Sequence, residues 1–307
     1  MEKRSPLKLA LLSMKGMAMG AADVVPGVSG GTIAFISGIY EELIESINKI
    51  NFGALKVWKN DGFKKFWEHI NGTFFVFLFA GIGISIVSLA KVVTHFLEIQ
   101  PILLWSFFFG LIIASVWLVS KSVNKWSAGA IASLIIGMGI AFYITTIQSV
   151  ATVDAKWFIV LSGALAICAM ILPGISGAFI LLLLGSYDNV LQAITERDFG
   201  TIGLFTVGCI IGLLSFARIL KFLFNKFQNV TVALLTGFMI GSLNKVWPWK
   251  ETLSMRENGH GEMVPFIQEN VLPSNFTGDA QLLFAIGSLV IGFILIFGLE
   301  KFAPKEK

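Results

Sequence analysis

The sequence predicts an all-α, polytopic membrane protein built as an inverted repeat, each half a broken, re-entrant helical hairpin plus three transmembrane helices. Three observations carry this expectation. Of 307 residues, 55% are hydrophobic and 14% charged, against roughly 25% charged in an average soluble domain. Six uninterrupted apolar stretches, 73–95, 102–120, 128–147, 202–222, 230–247 and 281–299, each approach the ~20 residues a bilayer crossing needs. Two further apolar segments, 7–47 and 157–194, are each interrupted by a Pro-Gly-x-Ser-Gly motif.

Along the chain, Met1 to Lys15 is basic, but no continuous apolar core with a cleavage site follows, so a cleaved signal is not expected. The first hairpin, 7–47, breaks at Pro26-Gly27-Val28-Ser29-Gly30-Gly31. Proline removes a backbone donor and glycine frees the backbone, so two helical arms meeting at a polar apex are expected. Residues 49–71 mix Phe and Trp with five lysines. They are too charged to span and read as one or two amphipathic helices on the cytoplasmic surface. Three spans complete a first repeat over 1–147. The second repeat, 148–307, opens with the hairpin 157–194, broken at Pro173-Gly174-Ile175-Ser176-Gly177, and continues with three more spans. The connection 248–280 reads as a solvated exterior loop.

Basic residues set the orientation. If each broken segment enters and leaves on one side, 17 of the 23 Lys and Arg fall on one face and 6 on the other. If each crosses once, the division is 12 to 11. The positive-inside rule selects the first arrangement, with both termini cytoplasmic. It also accounts for the net charge of +4 without nucleic acid. Cys168 and Cys209 lie in apolar runs without metal-ligand spacing, so they read as packing residues, and neither a disulfide framework nor a metal site is expected.

The halves repeat. At an offset of 147, Ala22, Pro26, Gly27, Ser29, Gly30, Ile33, Gly38, Tyr40 and Ile47 meet Ala169, Pro173, Gly174, Ser176, Gly177, Ile180, Gly185, Tyr187 and Ile194. At 127, Gly81, Ser88 and Ala90 meet Gly208, Ser215 and Ala217, Lys91 meets Arg218, and Gly110, Ile113 and Ser115 meet Gly237, Ile240 and Ser242. The offset shrinks because the linker exists only in the first half. Each half carries an odd number of spans, so the second enters the membrane upside down, the plan of secondary transporters. Glycines outside the motifs, such as Gly208–Gly212 and Gly237–Gly241, read as helix-packing positions.

A helix start after each proline offers unpaired N–H groups and a partial positive charge, which suit an anion. Gly30, Gly31 and Gly177 leave room for its approach, and Ser29, Thr32 and Ser176 add hydroxyls. The bland alternative is that the serines cap their own helices. Lys91 and Arg218 hold matching positions and read either as cationic stations for an anion or as side chains snorkelling to the interface. Asp23 has Met170 as its counterpart. It can hold a coupling proton or cation, pair with Lys15 or Lys91, or cap the hairpin. Glu41 and Asp188 follow the matched tyrosines.

The stretch GMAMGAADVVPGVSGGTIAFISGIYEEL, with its partner ILPGISGAFILLLLGSYDNVLQAI, resembles the bacterial polyprenyl-phosphate transporter family. The resemblance covers essentially the whole chain. It implies a flippase that returns undecaprenyl phosphate, the carrier lipid of cell-wall precursors, across the cytoplasmic membrane for reuse. On this resemblance Asp23, Pro26 to Thr32, Glu41 and Pro173 to Gly177 are the functional positions. No cofactor is expected, and a proton or sodium gradient is the candidate energy source. From residue chemistry alone, a carrier or channel for a small soluble anion remains open. An intramembrane phosphatase is disfavoured, because His69, His95 and His260 are scattered and without partners.

Overall fold

The computed structural model describes residues 4–24, 28–147, 155–257 and 263–302. Pro26 and Gly27 lie outside them. The first half runs α1 (Pro6–Val24), α2 (Gly30–Ile36), α3 (Tyr40–Lys49), α4 (Phe52–His69), α5 (Gly72–Ile99), α6 (Pro101–Ser120) and α7 (Ala128–Thr146). The second runs α8 (Lys156–Ile171), α9 (Gly177–Leu183), α10 (Tyr187–Glu196) and α11 (Phe199–Ser242), then β1 (Lys250–Glu257), β2 (Met263–Asn270) and α12 (Leu282–Phe302). Among the described residues, α5, α6, α7 and α11 are long and apolar enough to cross a membrane, and the pair α9–α10 makes a fifth candidate. The chain is a multi-pass membrane protein.

At 1.5 Å per residue, the 44 residues of α11 would extend ~66 Å, twice a ~30 Å hydrocarbon core. Phe227 breaks it, with non-helical φ −137° and ψ 45°. The break falls in Phe224-Asn225-Lys226-Phe227-Gln228-Asn229, where polar side chains interrupt the apolar run. Residues 199–226 and 228–242 are therefore two arms, near the two expected stretches. In α4, Gly62 at φ +84° divides the amphipathic linker into two short helices.

Two features differ from expectation. Each broken segment contains three helices, because the chain turns a second time after α2 and after α9. Gly38 (φ +73°) and Gly185 (φ +64°) sit at these turns in the left-handed region that favours glycine, and α9 and α10 meet at 107°. The connection 248–280 also carries two strands among its described residues. Strands β1 and β2 pair antiparallel, with an irregularity around Ser254. The hairpin is pinned by Trp247 Nε1 donating to Val271 O (2.8 Å), Trp249 Nε1 to Ala280 O (2.9 Å) and Asn270 Nδ2 to Asn244 O (2.7 Å).

The two sequence offsets reappear as contacts. Gly16 lies against the Leu78 carbonyl and Gly81 against that of Ser13, joining α1 to α5. At the matched positions, Gly163 meets Phe205 and Gly208 meets Val160, joining α8 to the first arm of α11. Gly110 with Leu289 and Gly292 with Phe107 join α6 to α12, while Gly237 with Leu134 and Gly137 with Leu234 join the second arm to α7. Glycine permits these approaches because no side chain separates the backbones. Helices α6 and α7 thus pair with α12 and the second arm of α11, from the other half of the chain.

Candidate functional site

The first motif is satisfied from within. Ser29 is the N-cap of α2, and its Oγ accepts from the Gly31 N–H at 3.1 Å. The Gly30 N–H donates to Asp23 Oδ1 at 2.7 Å. Of the roles open to Asp23 in the sequence, the structure displays the cap, and its carboxylate occupies the place where an external anion would meet the start of α2. Lys15 instead donates to the Ser37 carbonyl at 2.5 Å.

The two motifs then lock onto each other. Ser29 Oγ donates toward the carbonyls of Leu172 (3.1 Å) and Met170 (3.3 Å), and the Gly174 N–H donates to Thr32 Oγ1 at 2.9 Å. Gly31 lies so close to α8 that a Cβ there would stand 2.5 Å from the Ile171 carbonyl oxygen. Gly174, at φ +86°, turns its N–H toward Thr32. Ser29, Thr32 and Ser176 are all buried. Of the expected anion donors, the Ser29 hydroxyl donates across a joint between the two halves, where Thr32 accepts, while the Gly30 and Gly31 N–H groups are taken up within the first half.

The second motif faces a different neighbour. Ser176 caps α9 through the Phe179 N–H (3.4 Å), and Gly177 packs on the Ala166 carbonyl. Met170 replaces the aspartate, so no carboxylate from that position reaches the α9 cap. Beside it is a notch of about 10 Å³, walled by Thr145, Gly174, Ser176, Phe179 and Lys245. That is room for about one water molecule. The Lys245 ammonium rests over the Phe179 ring, 4.3 Å from its centre, and none of the ion pairs among the described residues includes it. Behind it, Lys250 Nζ donates to the Lys245 carbonyl (2.6 Å) and stands 3.9 Å from the Trp105 ring centre. Burial, reinforced by the neighbouring Lys245 charge, pushes the Lys250 ammonium down to about 7. Burial also lowers Lys245. Two desolvated lysines, neither paired with a carboxylate among the described residues, form a locus that an anion would stabilise.

The other expected residues lie elsewhere. Lys91 on α5 and Arg218 on the first arm of α11 are exposed, and among the described residues neither bonds to a motif residue. Glu41 is exposed too, while its neighbour Glu42 takes Arg4 in an ion pair and accepts from Asn71 Nδ2 at 2.8 Å. Cys168 and Cys209 are free thiols directed at the Gly212 and Gly163 carbonyls in the α8–α11 contact. Lys245 and Lys250 have no counterparts in the internal repeat, which is why repeat comparison passes over them. Their signal is local: two lysines among Trp247, Trp249 and Pro248 at the end of an apolar stretch.

No group of three or more His, Cys, Asp or Glu that could hold a metal ion occurs among the described residues. No solved structure matches the chain. A polyprenyl-phosphate transporter of Vibrio cholerae serotype O1 is 49% identical over 296 residues, covering 95% of this chain and 96% of that protein. A polyprenyl-phosphate transporter of Staphylococcus aureus is 33% identical over 255 residues, covering 76% and 85% respectively. A family model described as undecaprenyl phosphate translocase-like matches residues 19–264. With that match spanning most of its length, the chain belongs to the undecaprenyl phosphate translocase-like family.

Proposed function

We propose that this protein translocates polyprenyl phosphate, undecaprenyl phosphate in particular, across the bacterial cytoplasmic membrane so that the carrier lipid is reused in envelope synthesis. The observation that carries the reading is the joint of two duplicated broken motifs beside Lys245, a cation with no carboxylate of its own. The phosphate approaches Lys245 and the Ser176 side of the joint while the isoprenoid tail stays in lipid. A notch of about 10 Å³ does not admit a phosphate, so it widens when substrate enters and the described conformation is a closed one.

The proposed topology counts the two arms of α11 separately and adds α12, for six spans and two re-entrant segments, with both termini cytoplasmic. The halves are then inverted, and the matched contacts across them support this arrangement. Asp23 couples the cycle to a proton or sodium gradient, since neutralising its carboxylate weakens the Gly30 cap and loosens the joint. The names of the family and relatives point to a transporter rather than an enzyme.

Proteoliposomes carrying labelled undecaprenyl phosphate test this reading. The intact protein should move the lipid between leaflets, and Lys245→Gln should slow it at least tenfold, with Arg218→Ala as the comparison. Absence of lipid movement under proton and sodium gradients of either direction would sink the function. Flux of a water-soluble anion without lipid movement would replace it with a soluble-anion carrier.

A further inference from the structure

We propose that the apolar cavity between α7, the second arm of α11 and the β-hairpin seats the first isoprene units of the lipid whose phosphate Lys245 receives. This inference rests on the function proposed above and assigns a separate seat for the tail.

The cavity has a volume of about 630 Å³, within the ~300–1,000 Å³ usual for pockets that take organic ligands. Met138 and Phe142 of α7 form one wall, Ile240 another, and Trp247 and Leu272 lie toward the hairpin. Asn244, Asn270 and the indole N–H of Trp247 bring the polar side-chain groups, and all three are engaged, the indole with the Val271 carbonyl. Asn244 Nδ2 donates to Thr145 Oγ1 (2.8 Å), and Asn270 Nδ2 donates to Asn244 O (2.7 Å). Little remains inside to replace the hydration shell of a small ion.

Its position identifies the occupant. The last turns of α7 present Met138 and Phe142 to the cavity, and Ala141 and Thr145 to the notch that holds Lys245. Asn244 lines the cavity and the next residue, Lys245, lines the notch. The Asn244–Thr145 hydrogen bond is the partition between them. A cationic recess and an apolar trough on either side of one hydrogen bond complement a molecule with an anionic head and a hydrocarbon tail joined directly, which is a prenyl phosphate.

Gly139 makes this testable. It lines the cavity, and a Cβ built there meets nothing within 4 Å, so Gly139→Trp can push an indole into the cavity and obstruct it with little strain on α7. Gly83 on α5 is equally open and supplies a control, Gly83→Trp. Full-length protein is reconstituted with undecaprenyl phosphate bearing a diazirine in its first isoprene units. The expected results are crosslinks on α7 and Trp247, loss of those crosslinks in Gly139→Trp, and at least a tenfold fall in its transport, with Gly83→Trp unchanged. If the unsubstituted protein transports and Gly139→Trp transports equally well, the seat is refuted while the function stands. Crosslinks confined to other helices, or equal labelling of α7 by a diazirine phosphatidylglycerol, refute it without any substitution. If the unsubstituted protein moves no lipid, the functional reading fails instead.

Discussion

Replacing Thr32 with valine is the most direct probe of the joint between the two motifs. Valine keeps the volume and branching of threonine and removes only the oxygen that accepts the Gly174 N–H at 2.9 Å. Both residues are buried, and the left-handed backbone of Gly174 (φ +86°) fixes where its N–H points. The donor therefore has no alternative acceptor without moving the turn. Leaving a buried donor unpaired costs about 1–3 kcal/mol, a shift of ~5- to 150-fold in a folding equilibrium. Thr32→Ser retains the acceptor and loses one methyl, a cost of about 0.8 kcal/mol. Unfolding in mixed micelles, followed by tryptophan fluorescence, should rank the proteins wild type, Thr32→Ser, Thr32→Val in falling stability. Equal stability of Thr32→Val and wild type would refute the joint as a structural element.

Further outcomes follow from neighbouring features. Gly31→Ala places a Cβ 2.5 Å from the Ile171 carbonyl oxygen, so it should lower stability more than Thr32→Val in the same titration. The Lys250 ammonium is held near 7 in the folded protein against ~10.4 when unfolded. The folded state then binds fewer protons across pH 7 to 10, and stability should rise with pH through that window. Lys250→Met should flatten the rise and stabilise the protein at pH 7, and an unchanged slope would show that Lys250 is not its source. The Tyr40 hydroxyl is buried without a partner among the described residues. Tyr40→Phe should therefore match or exceed wild-type stability, and a loss above ~1 kcal/mol would reveal a bond to that hydroxyl. Gly110→Ala, which meets the Leu289 backbone, should destabilise α6 against α12, whereas Gly287→Ala meets open space and should be neutral.

Much of this architecture is legible in the sequence because the bilayer imposes length and hydropathy on every span. The apolar stretches 102–120 and 128–147 differ from α6 and α7 by a residue at an end. The break between α8 and α9 at Pro173-Gly174 is legible because proline lacks a donor. The second turns, at Gly38 and Gly185, are harder to read. Glycine permits a left-handed backbone without demanding one, and only the chain's return on itself selects it. The site divides similarly. Ser29 and Ser176 stand out by repetition, whereas Thr32 has Phe179 as its counterpart, and repetition alone does not separate a joint from a binding site. Lys245 has no repeat partner, and only the packing of α7 beside the second motif reveals its place.

The exchange of partners between halves also bears on synthesis. As the chain emerges, α1 finds α5 within the first half, but α6 and α7 are completed long before α12 and the second arm of α11 that cover them. Their glycine faces must wait in the bilayer for partners made about 100 (α7) to 180 (α6) residues later. A chain stopped after α7 would hold α6 and α7 without these mates, open to a wrong neighbour or to quality-control proteolysis. Assembly of α6 and α7 is therefore complete only once the chain has been made as far as α12.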